Sequence, residues 1–144
     1  MLTFINSNEL SYFMKPIILA IAFLTSTCIF AFADGRITRE GNQAAIKQSR
    51  TVISSRVQLL ENSVKTNNAT ETTRLAAEVQ GLLRNGMALT MHDINLAPKE
   101  DRKAINDRYL VLELASHQFN QLATNASANG SKLVEQAKTF LSKY

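Results

Sequence analysis

The chain has 144 residues, of which 45% are hydrophobic and 19% are charged, and its formal net charge is +4. Its single cysteine, Cys28, excludes an internal disulfide framework and a thiolate metal site, so stability must come from apolar packing. The basic residues are not interleaved with aromatic residues, as they are in stacking surfaces for nucleic acid, and we therefore expect no nucleic-acid partner.

Residues 14–33, MKPIILAIAFLTSTCIFAFA, form the most apolar stretch. Lys15 supplies a positive charge, an uncharged run follows, and the stretch ends in small residues at Ala31 and Ala33. This is the pattern of a secretory signal peptide. The rival interpretation is a membrane anchor, which needs about 20 apolar residues. We predict cleavage after Ala33, a periplasmic or secreted location, and no stable membrane insertion afterwards.

Residues 1–13 precede a credible start at Met14, carry no positive charge and contain Glu9. We interpret them as an extension from a start codon assigned too early. The predicted organisation is therefore an extension at 1–13, a signal peptide at 14–33 and one domain at 34–144.

The predicted domain shows helical periodicity and no strand pattern. Its fold class is predicted to be all-α, an antiparallel up-down-up-down four-helix bundle with a short fourth helix. The four predicted segments are 38–66, 69–95, 98–123 and 131–144.

Breaks between the segments are marked by turn and capping residues. Asn68 with Glu71 three residues later is a capping-box pattern, and Pro98 suits the first turn of the third helix. The small polar residues of 124–130 predict a turn before Ser131 caps the fourth helix. That last helix is then about fourteen residues long, against about 25 or more for the other three.

The apolar stripes predict which side chains meet in the core. Gly81 and Gly86 interrupt the second helix, each weakening it by roughly 1 kcal/mol relative to Ala. Leu110 and Leu114 lie beside the stripe of the third helix. The stripes of the first three helices are Ile46, Ile53, Val57, Leu60 and Val64; Ala76, Val79, Leu83, Met87, Thr90 and Ile94; and Ile105, Tyr109, Leu112, Ser116, Phe119 and Leu122.

A short fourth helix should leave one end of the bundle without a fourth wall. This predicts an apolar groove, and methionines suit adaptable binding surfaces. The occupant would be an unknown protein or a small apolar ligand, or a second copy in a homodimer. In the alternative, residues 35–42 fold over this end and close it. The predicted groove residues are Ile46, Met87, Met91, Ile94, Ile105 and Tyr109.

No catalytic motif is present, so we expect the protein not to be an enzyme. His92 and His117 are predicted to lie roughly 20 Å apart along the bundle, too far to share a metal ion in one monomer. We therefore predict no catalytic residue, no metal site and no cofactor.

The layout resembles the soluble haem b four-helix-bundle cytochromes of the bacterial periplasm. The likeness covers the signal peptide, the domain length, the break Leu96-Ala97-Pro98-Lys99 and the tail EQAKT…KY at 135–144. That family binds haem through a methionine early in helix one and a histidine near the end of helix four. Here helix one has no methionine and Leu141 matches the histidine position, so the chain resembles the scaffold of that family without its haem site. The resemblance implies an alternative function, haem b binding for electron transfer, through Met87, Met91 or His92.

Overall fold

The computed structural model describes residues 38–144, and the predicted extension and signal peptide lie outside them. Every element in this part is a helix, which confirms the all-α class and the count of four. The residues from Arg39 to the end form one compact unit. The helices are α1 (Arg39–Lys65), α2 (Ala69–Leu96), α3 (Lys99–Ala123) and α4 (Ala126–Lys143).

The first break between helices has the predicted capping residue. The side chain of Asn68 accepts a hydrogen bond of 3.1 Å from the backbone N–H of Glu71, which satisfies one free donor of the α2 N-terminus. The Glu71 carboxylate pairs with Arg74 instead of returning to Asn68. Asn67 has a φ of 53°, the left-handed conformation in which asparagine commonly ends a helix.

The predicted start of the fourth helix at Ser131 is wrong, because α4 begins at Ala126. Only Thr124 and Asn125 separate it from α3. Ala126 and Gly130 are buried, and the side chain of Asn129 donates to the backbone oxygens of Asn125 (3.1 Å) and Leu122 (3.3 Å). Burial and these hydrogen bonds therefore stabilise a helix in a stretch whose composition is typical of a turn. With 18 residues, α4 remains shorter than α1 (27), α2 (28) and α3 (25).

Neighbouring helices run in opposite directions where their contacts can be followed. Ser63 of α1 meets Thr72 of α2 with 3.0 Å between the hydroxyl oxygens, whereas Asn42 donates to the Leu89 carbonyl oxygen at 3.0 Å. Residue numbers therefore fall along α1 as they rise along α2. Packed pairs are α1 with α2, α2 with α3, α3 with α4, α1 with α4, and α2 with α4.

An ion pair across the bundle joins α1 to α4. Glu61 accepts from Lys138 of α4 at 2.7 Å and from Lys65 of its own helix at 3.0 Å. The hydrogen bond from Lys138, followed by that from Lys65, lowers the pKa of the Glu61 carboxyl. Close packing reinforces this contact, because a Cβ added to Gly130 would lie 2.7 Å from Val64 Cγ2.

The core draws large apolar side chains from all four helices. Its largest fully buried members include Ile53 and Leu60 of α1, Leu83 of α2, Phe119 of α3 and Phe140 of α4. Removing such side chains from water is the main source of stability in a domain of this size. Most of the predicted stripe positions thus lie in the core.

The buried face of α2 differs from the predicted stripe in its second half. Thr90 is buried as predicted, but Met87 and Ile94 are only partly buried, whereas Gly86 and Asp93, outside the predicted stripe, are buried. Gly86 is buried because aromatic rings of α4 lie directly over it. Asp93 is buried because arginines from two other helices pair with its carboxylate.

Two leucines of α3 that were predicted to lie beside its apolar stripe are exposed to solvent. Leu110 and Leu114, predicted to lie beside the apolar stripe, are 52% and 59% exposed. The buried face passes through Leu112, Ser116 and Phe119 of the predicted stripe and also includes Ala115. None of the helices in the described region has both the length and the apolar character needed to cross a bilayer.

Candidate functional site

The six predicted groove residues differ widely in exposure. Ile105 is 8% exposed, and Ile46 and Met87 are partly buried side chains packed against the core. Ile94 and Tyr109 are also partly buried. Met91 is 43% exposed, so it is the most accessible of the six. Their role in binding stays a prediction.

The end of α4 determines how much of α2 is covered. A Cβ added to Gly86 would lie 3.0 Å from Tyr144 Cζ and 3.3 Å from Phe140 Cζ. The two rings pack against each other with their centroids 5.3 Å apart. The last turn of α4 therefore lies over Gly86, and the ten residues of α2 after it extend past this contact.

Tyr144 places a phenol group at this boundary. The residue is 6% exposed, and its Oη lies near the Ser49 side chain without making a hydrogen bond of good geometry. Burial raises the pKa of the Tyr144 phenol, and the nearby Ser49 and Arg108 oppose part of that shift. The hydroxyl is therefore protonated and neutral at physiological pH.

Beyond Tyr144, the uncovered end contains four charged residues from three helices, here named the Asp93 cluster: Arg39 of α1, Asp93 of α2, and Asp101 and Arg108 of α3. Asp93 is 3% exposed. Its carboxylate oxygens lie 3.6 Å from Arg39 Nε and 3.7 Å from Arg108 Nη2. Two cations thus flank one buried anion.

Arg39 links α1 to both of the other helices in this cluster. Its Nη2 donates to Asp101 Oδ2 at 2.9 Å, and this hydrogen bond is the largest cause of the raised pKa of Arg39. The side chain of Asp101 is 48% exposed, so this pair lies at the rim. The buried Asp93 and the rim Asp101 therefore hold Arg39 from two sides.

Sequence reasoning missed the Asp93 cluster because charged residues within a helix are ordinarily solvated. One signal was present in the spacing. Asp93 lies three residues after Thr90 and seven after Gly86, which are both buried. A helix brings residues at such spacings to one face.

Part of the segment that could close this end is described. Asn42 is 4% exposed and bonded to α2, and Arg39 is tied to α2 and α3. Residues 35–37 lie outside the described residues, and Arg39 and Asn42 belong to α1, so closure by residues 35–42 stays a prediction.

Neither histidine is buried. His92 is exposed, and His117 is exposed with its Nε2 3.1 Å from Gln121 Nε2. Within residues 38–144, no three or more His, Cys, Asp or Glu side chains are grouped so that they could hold a metal ion. Leu141, at the position where the resemblance would require histidine, is partly buried in α4.

The accessible apolar side chains concentrate on one helix. Three of the five exposed large hydrophobic residues of the described region fall within five positions of α3. We name these three the α3 patch: Leu110 (52% exposed), Val111 (41%) and Leu114 (59%). The other two are Leu59 of α1 (41%) and Met91 of α2 (43%).

Comparison with known proteins assigns no family to this chain. No protein-family model matches it, and neither a curated protein nor a solved structure matches it significantly.

Proposed function

We propose that this up-down-up-down bundle is an exported, non-catalytic binding module that takes an apolar ligand or partner segment at the end that α4 leaves uncovered. The observation that carries the proposal is the end of α4, where Tyr144 lies over Gly86 while α2 continues to Leu96. Three of the predicted groove residues, Met87, Met91 and Ile94, follow Gly86 on α2.

The side chains at this end suit an adaptable apolar contact. Met87 and Met91 are one helical turn apart, and Met91 is 43% exposed. Unbranched thioether side chains change conformation at low cost and so fit ligands of irregular shape. The Asp93 cluster ties α1, α2 and α3 together at the same end, which would keep these helices in place during binding.

A hydrophobic dye, anilinonaphthalene sulfonate, tests the proposal on the monomer. The proposal predicts a fluorescence increase with the wild-type protein and a reduced increase with Met91→Glu. Leu59→Glu is the matched control, because Leu59 is equally exposed but lies on α1, outside the predicted groove. No dye binding by the monomer, or an equal loss in both variants, would contradict the proposal.

Two further measurements test export and the alternative cofactor. If the protein is exported and cleaved as predicted, the mature chain begins at Asp34, which N-terminal sequencing of exported material would show.

Titration with haemin should give no Soret shift. A shift would favour the haem-binding alternative over an apolar ligand.

A further inference from the structure

The face of α1 that points into the bundle changes its chemistry along the helix. Its members recur at intervals of three or four residues, the spacing of one helical face. From Ile53 onwards they are buried members of the core, whereas three of the four before Ile53 are polar and only Asn42 among those four is buried. They are Arg39, Asn42, Ile46, Ser49, Ile53, Val57 and Leu60.

The first ten residues of α1, residues 39–48, therefore add little to the apolar core. Ile46 is their only large apolar side chain, and it is partly buried. Apolar burial is the main source of stability in a folded domain, and regions with few buried apolar contacts open at a lower free energy than the rest. This stretch is thus the part of α1 that can separate most easily.

Polar contacts tie this stretch to the neighbouring helices. Arg39 Nε lies 3.6 Å from Asp93 Oδ1 of α2, and Arg39 Nη2 donates to Asp101 Oδ2 of α3 at 2.9 Å. Asn42 donates to the Leu89 carbonyl oxygen of α2 at 3.0 Å. Because water can replace each of these partners, such contacts hold a segment in place without adding much net free energy.

The end of α4 lies at the boundary of this stretch. Gly130, near the start of α4, lies against Val64, whereas Tyr144, which follows α4, lies near Ser49. Residue numbers therefore fall along α1 as they rise along α4. Residues 39–48 lie beyond the last turn of α4, which covers the second half of α1 and does not hold the first ten residues.

Ile105 of the predicted groove lies on the face of α3 that meets this stretch. Asp101, Ile105 and Arg108 follow one another at intervals of four and three residues and so share that face. Asp101 accepts from Arg39, and Arg108 lies 3.7 Å from Asp93, so the face is directed at the Asp93 cluster. Ile105 is 8% exposed but does not belong to the continuous core. Its burial therefore depends on the helices around the cluster staying together.

We propose that residues 39–48 form a lid, the α1 lid, which moves away from α2 and α3 at Ser49 while the rest of the bundle stays folded. For its ligand the lid rests on the proposed function: an apolar molecule that contacts Ile46 and Ile105 once the lid has opened. A ligand that binds only the open form shifts the population towards it. The lid thus controls access to the inner part of the predicted groove.

Hydrogen exchange of the folded protein, expressed from its full coding sequence and followed by NMR, tests the opening. Amides of residues 43–48 should share one protection factor, roughly a hundredfold below that of residues 53–60, because they exchange through a single opening. Simple fraying would instead give protection that rises residue by residue from the start of the helix. Such a gradient, or equal protection of the two stretches, would overturn the proposal.

Arg39→Gln should speed exchange throughout residues 43–48 by roughly tenfold and leave residues 53–60 unchanged, because it removes two of the contacts that close the lid. Arg56→Gln is the matched control on the same helix. Arg56 pairs with Glu78 of α2 at 3.4 Å, and its side chain is 32% exposed against 27% for Arg39. An effect of Arg39→Gln confined to the first turn, or an equal effect of both variants on residues 43–48, would contradict the lid.

Anilinonaphthalene sulfonate binding tests whether the lid acts on the groove. Arg39→Gln should bind the dye several-fold more tightly than the wild type, whereas Arg56→Gln should not. Loss of a cation alone would weaken binding of this anionic dye, so a gain cannot come from charge. Dye bound equally by all three proteins would overturn the lid and leave the groove standing. Dye bound by none of them would contradict the groove itself, and with it the role of the lid.

Discussion

Asp93 is a buried carboxylate whose two oxygens face different arginines. The residue is 3% exposed, whereas the side chains of Arg39 and Arg108 keep 27% and 39% of their surface in water. Removing a charge from water is costly unless opposite charges stay close. The two arginines provide that compensation from α1 and α3, so Asp93 depends on the correct placement of both helices.

We expect Asp93→Asn to lower the free energy of unfolding by about 2 kcal/mol, the cost of leaving partly buried groups without their partner. The substitution keeps the size of the side chain but leaves two partly buried arginines without their shared anion. Asp101→Asn is the matched control, because its carboxylate is half exposed and the loss of such a pair costs about 1 kcal/mol or less. Urea denaturation of both variants measures the difference. Equal losses would show that burial of Asp93 adds nothing to its ion pairs.

The phenol of Tyr144 should make stability fall at high pH. Burial raises its pKa in the folded state, so from about pH 10 the unfolded chain releases this proton first. The free energy of unfolding should then decrease as pH rises through the window between the unfolded and folded pKa values. Below pH 10 this contribution is constant, because the phenol is protonated in both states.

Tyr144→Phe should remove this part of the pH dependence. At pH 7 the variant should be within about 1 kcal/mol of the wild type, because the hydroxyl makes no hydrogen bond of good geometry that could be lost. Denaturation of both proteins at pH 7, 10 and 11 isolates the effect, since lysine titration affects both alike. A wild type and variant that lose stability in parallel would contradict the role of Tyr144.

Within α2, two glycines five positions apart have opposite surroundings. A Cβ on Gly81 would have nothing within 4 Å, whereas a Cβ on Gly86 would approach two aromatic rings of α4. Both glycines weaken the helix in the same way, through backbone freedom in the unfolded chain. Only Gly86 has a packing reason to be glycine.

Alanine substitution should separate these two effects. Gly81→Ala should raise the free energy of unfolding by about 1 kcal/mol through helix propensity alone. Gly86→Ala should lose that gain and fall about 1 kcal/mol below the wild type, because the new methyl must displace the Tyr144 and Phe140 rings. Thermal unfolding followed by circular dichroism ranks the three proteins. A Gly86→Ala variant as stable as Gly81→Ala would show that the rings move freely.

The boundaries of the helices could be predicted from the sequence where the signals were local. Asn68 and Pro98 fixed two breaks, because capping and the absent N–H of proline act within one turn. The start of α4 could not be predicted, because the burial of Ala126 and Gly130 is set by contacts with the rest of the bundle. Gly130 lies against Val64 of α1, a partner 66 positions away in the chain.

For the whole molecule, hydrophobic periodicity was enough to predict four helices and most of the core. It could not predict the Asp93 cluster, because burial of charge depends on which arginines other helices bring to the same place. It also assigned Leu110 and Leu114 to the edge of the core, although both face outward. Periodicity identifies the apolar face of a helix but does not determine whether another helix covers the residues beside that face.

The pairs of helices that pack together limit where this molecule can hold a ligand. Within the described bundle α2 contacts α4, whereas no Cα of α1 comes within 8 Å of a Cα of α3. The cross-section is therefore a rhombus, with α2 and α4 at the ends of its short diagonal. Such a section brings two helices together across the bundle axis. A guest molecule would then enter at an end or lie on an outer face. Binding it inside the bundle would first require α2 and α4 to move apart.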